Sequence, residues 1–406
     1  VLEDRCVPSA LTVLNNADSG PGSLRDTIAA AQSGDTILFD PSLGGQTINL
    51  TSGELVINKS LDIEGLGGTT PHQVSISGNF ASRVFDITTS AATVTLAQLV
   101  IEDGVGGQGA GIFDAGASVN LADVKLFANE ADGAAGVAGS AGGNALGGAI
   151  FEAGGNLSLS HCAVTGLAFG GSGGSGAPGG TALGGSIYNA GRALSLADCV
   201  ISGAALGGAG GAGSAGGGAL GGAIYQAGGP LTLSHCSLVG IASSPGAALG
   251  GDIYSAGGVL SATGCSFSEG CSGFYAAGGA IYEGSTTTVS VTNCLFSTGA
   301  QGTEALGGAI YQAGGSLTVT NCTFQDAVGT GNGLAAGGAL YIAGGVVTIQ
   351  NAAFVQDEAL AFGAGTGIGG AIDIAGGLVC ISKNTSFQGD FASTSCPDIV
   401  GAYTVC

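Results

Sequence analysis

The chain has no tryptophan and no methionine, three histidines, and seven lysines and arginines against 28 acidic residues. So few bases exclude a nucleic-acid partner, which needs a basic face to neutralise phosphates. Charged residues supply 9% of the 406 positions and apolar ones 45%, too apolar a balance for a disordered glycine-rich linker. No apolar run approaches the roughly 18 residues of a membrane span, so no membrane insertion is expected. Val1 is not followed by a charged-then-apolar leader, and the chain is expected to be mature and soluble. The net charge of −21 comes from scattered acids, which implies solubility and self-repulsion, with loose divalent-cation binding as the alternative.

Glycine is what the sequence has in excess, 83 residues of it, and it is periodic. A Gly-Gly-Ala-Ile-Tyr cassette begins at Gly147, Gly184, Gly221, Gly250, Gly278, Gly307, Gly337 and Gly369, with a degenerate copy at Gly109. An Ala-Gly-Gly turn, a short alternating strand such as Leu231–Ser234, and a cysteine follow it in most copies. Cassette spacing varies from 28 to 38 residues while the cassette-to-cysteine segment barely changes, so the slack lies in one loop. Strands held in register with one variable corner define a right-handed, single-stranded parallel β-helix, an all-β solenoid. Ser23 is placed to cap a short helix running to about Ala31, which would close the N-terminal end. The expected organisation is an extension over 1–22, the helix and irregular first coils over 23–104, the regular β-helix over 105–390, and a cysteine-containing end segment over 391–406.

Cys162, Cys199, Cys236, Cys265, Cys294 and Cys322 recur at one position of the repeat and should stack as an inward ladder of small apolar groups. Such a file spreads its sulfurs along an axis and includes no Cys-x-x-Cys pair, so no metal site is expected. Cross-coil disulfides are open to it, under demanding geometry. Cys6, Cys271, Cys380, Cys396 and Cys406 lie off the column and are candidates for disulfides or intersubunit bonds. Cys396 with Cys406 could close a terminal loop, Cys271 or Cys380 could pair elsewhere, and Cys6 could bond a second chain.

A second column holds Phe113, Phe151, Tyr188, Tyr225, Tyr254, Tyr282, Tyr311 and Tyr341. Rings at coil spacing stabilise neighbouring turns, and an exposed strip for a glycan or neighbouring subunit is the alternative. Outward serines and threonines, among them Thr232, Ser234, Thr318 and Thr320, form two files that read as ordinary solvent-facing strand residues, with ice binding the remote alternative. His161 and His235 precede column cysteines where other coils carry Asp or Asn, which makes them turn residues. The loops Gly133–Gly148, Gly170–Gly185 and Gly207–Gly222 are expected to pack on one another as extended strands. Paired carboxylates, or calcium-binding acids beside a base, would mark a lyase or glycosidase. No such cluster stands out, and neither catalytic residues nor a cofactor are expected.

The run Leu2-Glu3-Asp4-Arg5-Cys6-Val7-Pro8-Ser9, with Asp18-Ser19-Gly20-Pro21-Gly22-Ser23-Leu24-Arg25 and Gly34-Asp35-Thr36-Ile37, resembles the start of large secreted β-helix proteins of Planctomycetes-type bacteria. The cassettes, with Asn293-Cys294-Leu295-Phe296 and Asn321-Cys322-Thr323-Phe324, are similar to repeats of polymorphic outer-membrane passengers and pectin-lyase-like proteins. The first resemblance implies export and an extracellular or cell-surface location without assigned catalysis. The expected function is therefore a non-catalytic structural protein that polymerises end to end as a fibre or matrix, with Ala10–Asn15 as a candidate donor strand. A glycan- or surface-binding adhesin is the first alternative and a polysaccharide lyase or glycosidase the second.

Overall fold

A computed structural model describes residues 8–67, 72–190 and 192–406. Each regular coil contributes to three parallel sheets in turn. The cassette enters sheet 3 (Ile224–Gln226), the alternating segment enters sheet 1 (Pro230–Ser234), and the long variable segment enters sheet 2 (Ser237–Leu249). Sheet 1 has 14 strands, sheet 3 has 12 and sheet 2 has 20, because several coils cross sheet 2 in two pieces. Every strand pairs in parallel with its counterpart one coil away, and the winding is the right-handed one that parallel crossovers adopt. Fourteen strands at about 4.8 Å make a rod of about 60 Å.

Local chemistry explains the coil. In Leu231-Thr232-Leu233 the leucines are buried and the threonine is exposed, the two-residue period that turns one face inward. The corner between sheets 1 and 2 is a single residue in the left-handed region: Asp123, His161, Asp198, His235, Asn293, Asn321 and Asn351 all have φ between 52° and 54°. Asp and Asn tolerate that conformation best among residues bearing a β-carbon, and His161 and His235 are thereby turn residues. The cassette glycines answer a second constraint. A β-carbon on Gly222 would run into the backbone of Gly251 and Ile241 one coil on, so the first side chain that fits there is none at all.

The core is one continuous column in which Ile150, Ile187, Ile224, Ile253, Ile281 and Ile310 stack in register. Beside it runs an internal stack of Phe267, Phe296, Phe324, Phe354 and Phe387, with ring centroids 4.7–5.1 Å apart. A separate, smaller core lies in the lateral part of sheet 2, where outgoing and returning strands face each other through methyl groups, among them Ala168, Ala182, Ala205, Ala219, Ala242 and Ala305.

The helix Leu24–Ala30 forms with Ser23 as its N-cap, its side chain accepting from the Asp26 amide, and buries Leu24 and Ile28 against the first coils. Lys59 Nζ donates to the terminal carbonyls of Ile28 (3.2 Å) and Ala31 (2.8 Å), which ties the helix end to the coil below. Ala10–Val13 is already the first strand of sheet 1, paired with Asp35–Phe39 of its own chain, so it is not a free donor strand.

The glycine-rich loops pack on one another in extended form as expected, but not with the hydrogen bonding of a β-sheet. Gly133, Gly136, Gly139 and Gly142 donate to Phe169, Ser172, Ser175 and Pro178 at 2.8, 2.7, 3.1 and 3.0 Å. That three-residue period belongs to an extended polyproline-II-like chain rather than to a strand with its period of two. Each loop doubles back, and its returning leg bonds both to its own outgoing leg (Gly180 to Gly171) and to the next loop (Gly208 to Gly180). A β-carbon on Gly174 or Gly211 would strike the carbonyl of Val137 or Gly174. Backbones this close explain the composition.

Candidate functional site

The aromatic column lies on the outer face of sheet 3 as one unbroken stack from Phe113 to Tyr341, with centroids 4.8–5.3 Å apart and neighbouring rings at most 16° from parallel. The six tyrosines are half-buried, and burial raises the phenols of Tyr225 and Tyr282 to about 12. Tyr282, Tyr311 and Tyr341 also pack against a small cluster of Ala277, Leu306 and Ala336. The Arg83 guanidinium sits over Phe113 at 4.8 Å while pairing with Glu54 at 2.8 Å, so a cation closes the N-terminal end of the stack. Tyr341 is followed in register by Asp373, whose carboxyl is raised to about 6 by burial. Each ring covers the face of the next. Edges and hydroxyls remain for solvent, whereas the stacking of a sugar needs an open face.

Immediately after each aromatic residue lies a feature that reading the sequence missed. Asp114, Glu152, Asn189, Gln226, Ser255, Glu283 and Gln312 point inward and are at most 1% exposed. All but Glu283 bond the backbone of the turn that follows, from within. Asp114 Oδ1 accepts from the Gly116 and Ala117 amides at 3.0 and 2.8 Å, and Glu152 Oε1 accepts from Gly154 at 2.7 Å and from Gly155. In later coils the sense reverses, and Gln226 and Gln312 donate to the Gly228 and Gly314 carbonyls. Asn189 bridges two coils, donating to Arg192 at 2.7 Å and to Gln226 Oε1 at 2.9 Å. The available signal was a polar residue after the aromatic in seven successive copies.

Several buried carboxyls are incompletely satisfied. Both oxygens of Glu283 and of Asp252, and one each of Asp114, Glu152, Asp357 and Asp390, have no hydrogen-bond partner among the described residues. Burial drives the Glu283 and Asp252 carboxyls well above their ordinary values. Asp357 Oδ1 accepts from Ala327 at 2.9 Å, and the Asp357 amide donates to Asp390 Oδ1 at 2.9 Å. Burial, with the neighbouring Asp390 charge adding to it, raises the Asp357 carboxyl to about 8. These acids are sealed in the solenoid wall.

The six column cysteines lie at the corner between sheets 1 and 2, each 1–3% exposed and unbonded. Cys271 takes an alanine position of the lateral core, between Ala242 and Ala300. The pairing expected at the C-terminus is corrected. Cys380 bonds Cys406, with Cα atoms 5.9 Å apart, because Thr404–Val405 joins sheet 1 beside Leu378–Ile381 and brings the terminal residue alongside. Cys396 is exposed and free. Cys6 lies outside the described residues. His161 and His235 flank Asp198 on the corner surface at 3.8 and 4.0 Å. Among the described residues no group of three or more His, Cys, Asp or Glu is placed to hold a metal ion, and no helix is long and apolar enough to cross a membrane.

At the C-terminal end the last strand of each sheet, Phe391–Ala392, Ile399–Val400 and Thr404–Val405, pairs on one side only among the described residues. Leu378, Phe391, Tyr403 and Val405 are between 46% and 74% exposed there. A shallow hollow of about 300 Å³ on sheet 1, lined by Val346, Thr348, Leu378 and Tyr403 among others, adjoins them.

No family model matches the chain, and no curated protein is similar to it in sequence. Solved structures with a similar winding include the catalytic domain of Agl-KA, at 11% identity and TM-score 0.46 over 94% of this chain and 64% of that one. Pectate lyase Pel9A is 12% identical, with TM-score 0.34 over 85% of this chain and 76% of its own. PfbA, a surface adhesin of Streptococcus pneumoniae, is 11% identical, with TM-score 0.37 over 96% and 94%. The chain thus spans about two thirds of the Agl-KA domain's length. With every TM-score below 0.5, these likenesses carry no argument about this chain.

Proposed function

We propose that this chain is a non-catalytic extracellular structural protein, a rod that assembles end to end into a fibre or matrix. The observation that carries the reading is the state of sheet 1 at its two extremities. Among the described residues Ala10–Val13 pairs only with the strand below it, and Thr404–Val405 pairs only with the strand above it. Within the described residues the same sheet therefore presents an edge of opposite sense at each extremity. A second copy can continue it in parallel, and a head-to-tail contact of this kind propagates as a filament unless its rotation closes a ring. The exposed apolar side chains at the C-terminal edge supply area for burial, and the inward columns make each rod stiff.

Electron microscopy of concentrated protein tests this directly: filaments are expected, and monodisperse rods about 60 Å long overturn the reading. Val405→Lys places a charge on the proposed contact and should shift the material to single rods at unchanged circular dichroism. Incubation with polygalacturonate and α- and β-glucans is expected to release no product. Release of oligosaccharides would establish an enzyme instead, and retention on immobilised glycan without cleavage would establish an adhesin.

A further inference from the structure

The cysteine column has a chemistry that packing does not use. Its members are in register, because the residues that follow them pair coil to coil: Ala163 with Val200, Val200 with Ser237, Ser237 with Ser266, Ser266 with Leu295, and Leu295 with Thr323. At a coil spacing of about 4.8 Å, stacked cysteines have Cα atoms within the range of about 4.4–6.8 Å that a disulfide spans. The thiols contact their neighbours along the whole column, but the bonds from backbone to sulfur alternate. The Cys162 amide donates to Cys199 Sγ, the Cys236 amide to Cys265 Sγ, and the Cys294 amide to Cys322 Sγ, each at 3.4 Å. In these three pairs the later sulfur reaches beneath the earlier backbone. The cysteines sit at a corner rather than within a strand.

We propose that the six thiols are a redox modification site, which a small-molecule disulfide converts into three cross-coil bonds: Cys162–Cys199, Cys236–Cys265 and Cys294–Cys322. One thiolate of a pair attacks a sulfur of the small disulfide, forming a mixed disulfide and releasing one small thiol. The partner thiolate then attacks the protein sulfur of that mixed bond and releases the second. Two electrons pass from the protein thiols to the reagent, and the two protons leave on its two thiols. Because the sulfurs are buried, exchange takes place while the coils are closing around one another. The three bonds then join six coils in pairs across the sheet hydrogen bonds.

The extracellular reading supplies the oxidising setting, but the test does not depend on it. Reduced, unfolded protein is refolded in a mixture of reduced and oxidised glutathione, denatured, alkylated and mapped by mass spectrometry. The expected result is loss of two hydrogens per pair, the three named linkages, and alkylation of Cys271 and Cys396. Alkylation of all six column cysteines overturns the proposal, as does the complementary pairing Cys199–Cys236 with Cys265–Cys294. A Cys199→Ser variant should free Cys162 and leave the other two bonds intact. Protein purified in the folded state without reductant and mapped identically decides the matter where refolding fails. Pairing in glutathione by a protein that fractionates with the cytoplasm would overturn the extracellular reading and leave this one standing.

Discussion

Replacing Asp357 by asparagine should make the protein more stable at neutral pH and leave it nearly unchanged in acid. The Asp357 side chain is fully buried, one of its oxygens has no partner, and its carboxyl is raised from 3.8 to about 8 by burial, with Asp390 beside it adding to the shift. A carboxyl raised in the folded state is protonated there while the unfolded chain has released its proton. Its effect on stability is absent below the unfolded value and grows as pH rises from 3.8 towards 8. At pH 7 that amounts to about 4 kcal/mol of lost stability from this one group, at about 1.36 kcal/mol per unit. Asparagine keeps the acceptor for the Ala327 amide and carries no charge to desolvate. Urea denaturation followed by circular dichroism at pH 4, 5.5, 7 and 8 reads the effect, tyrosine fluorescence being a weak substitute in a chain without tryptophan. The variant's advantage over the parent should widen by about 4 kcal/mol between pH 4 and 7. A constant difference across that range would refute the reasoning, since the substitution removes no other titrating group. Repeat proteins can unfold coil by coil, so amide exchange around Ala327 provides a local readout of the same change.

Other consequences are independent of that group. The parent should be most stable at about pH 4–5 and weaken steadily towards pH 8, because the Glu283 and Asp252 carboxyls are also raised by burial while Asp18 is lowered by its hydrogen bonds; a melting temperature that climbs between pH 5 and 8 would contradict it. Phe324→Ala removes the middle ring of the internal stack and should cost about 3–5 kcal/mol by chemical denaturation, whereas a cost under about 1 kcal/mol would mean the stack is not close-packed. Gly211→Ala should destabilise by several kcal/mol, because its β-carbon meets the Gly174 carbonyl. Gly213→Ala at the open loop tip, with φ at 79°, should cost only about 1 kcal/mol, and equal effects would refute the close-packed loop bundle. Arg83→Gln should lose about 1 kcal/mol through the uncapped aromatic stack and the Glu54 pair, measured at low salt.

Periodicity alone determined the coil, the register and the inward columns, because a solenoid repeats the same local problem at every turn and each copy of the cassette answers it in the same order. Ser23, Leu24 and Ile28 likewise announced the helix, since capping and a buried face are local patterns. Tertiary structure decided what depends on neighbours one coil away. The aromatic column proved half-buried and face-to-face only once the rings of successive coils were superposed. The polar residues from Asp114 to Gln312 were legible as a column, but their turn-holding role required the inward direction of the strand. The glycine loops matched in length, yet only the packing of six extended legs showed a three-residue hydrogen-bond period in place of a sheet. Cys406 found Cys380 instead of Cys396 because the last strand returns to sheet 1, a destination set by the winding and not by spacing along the chain. Local alternation fixes what a coil is made of, while the stacking of coils decides which of its atoms meet.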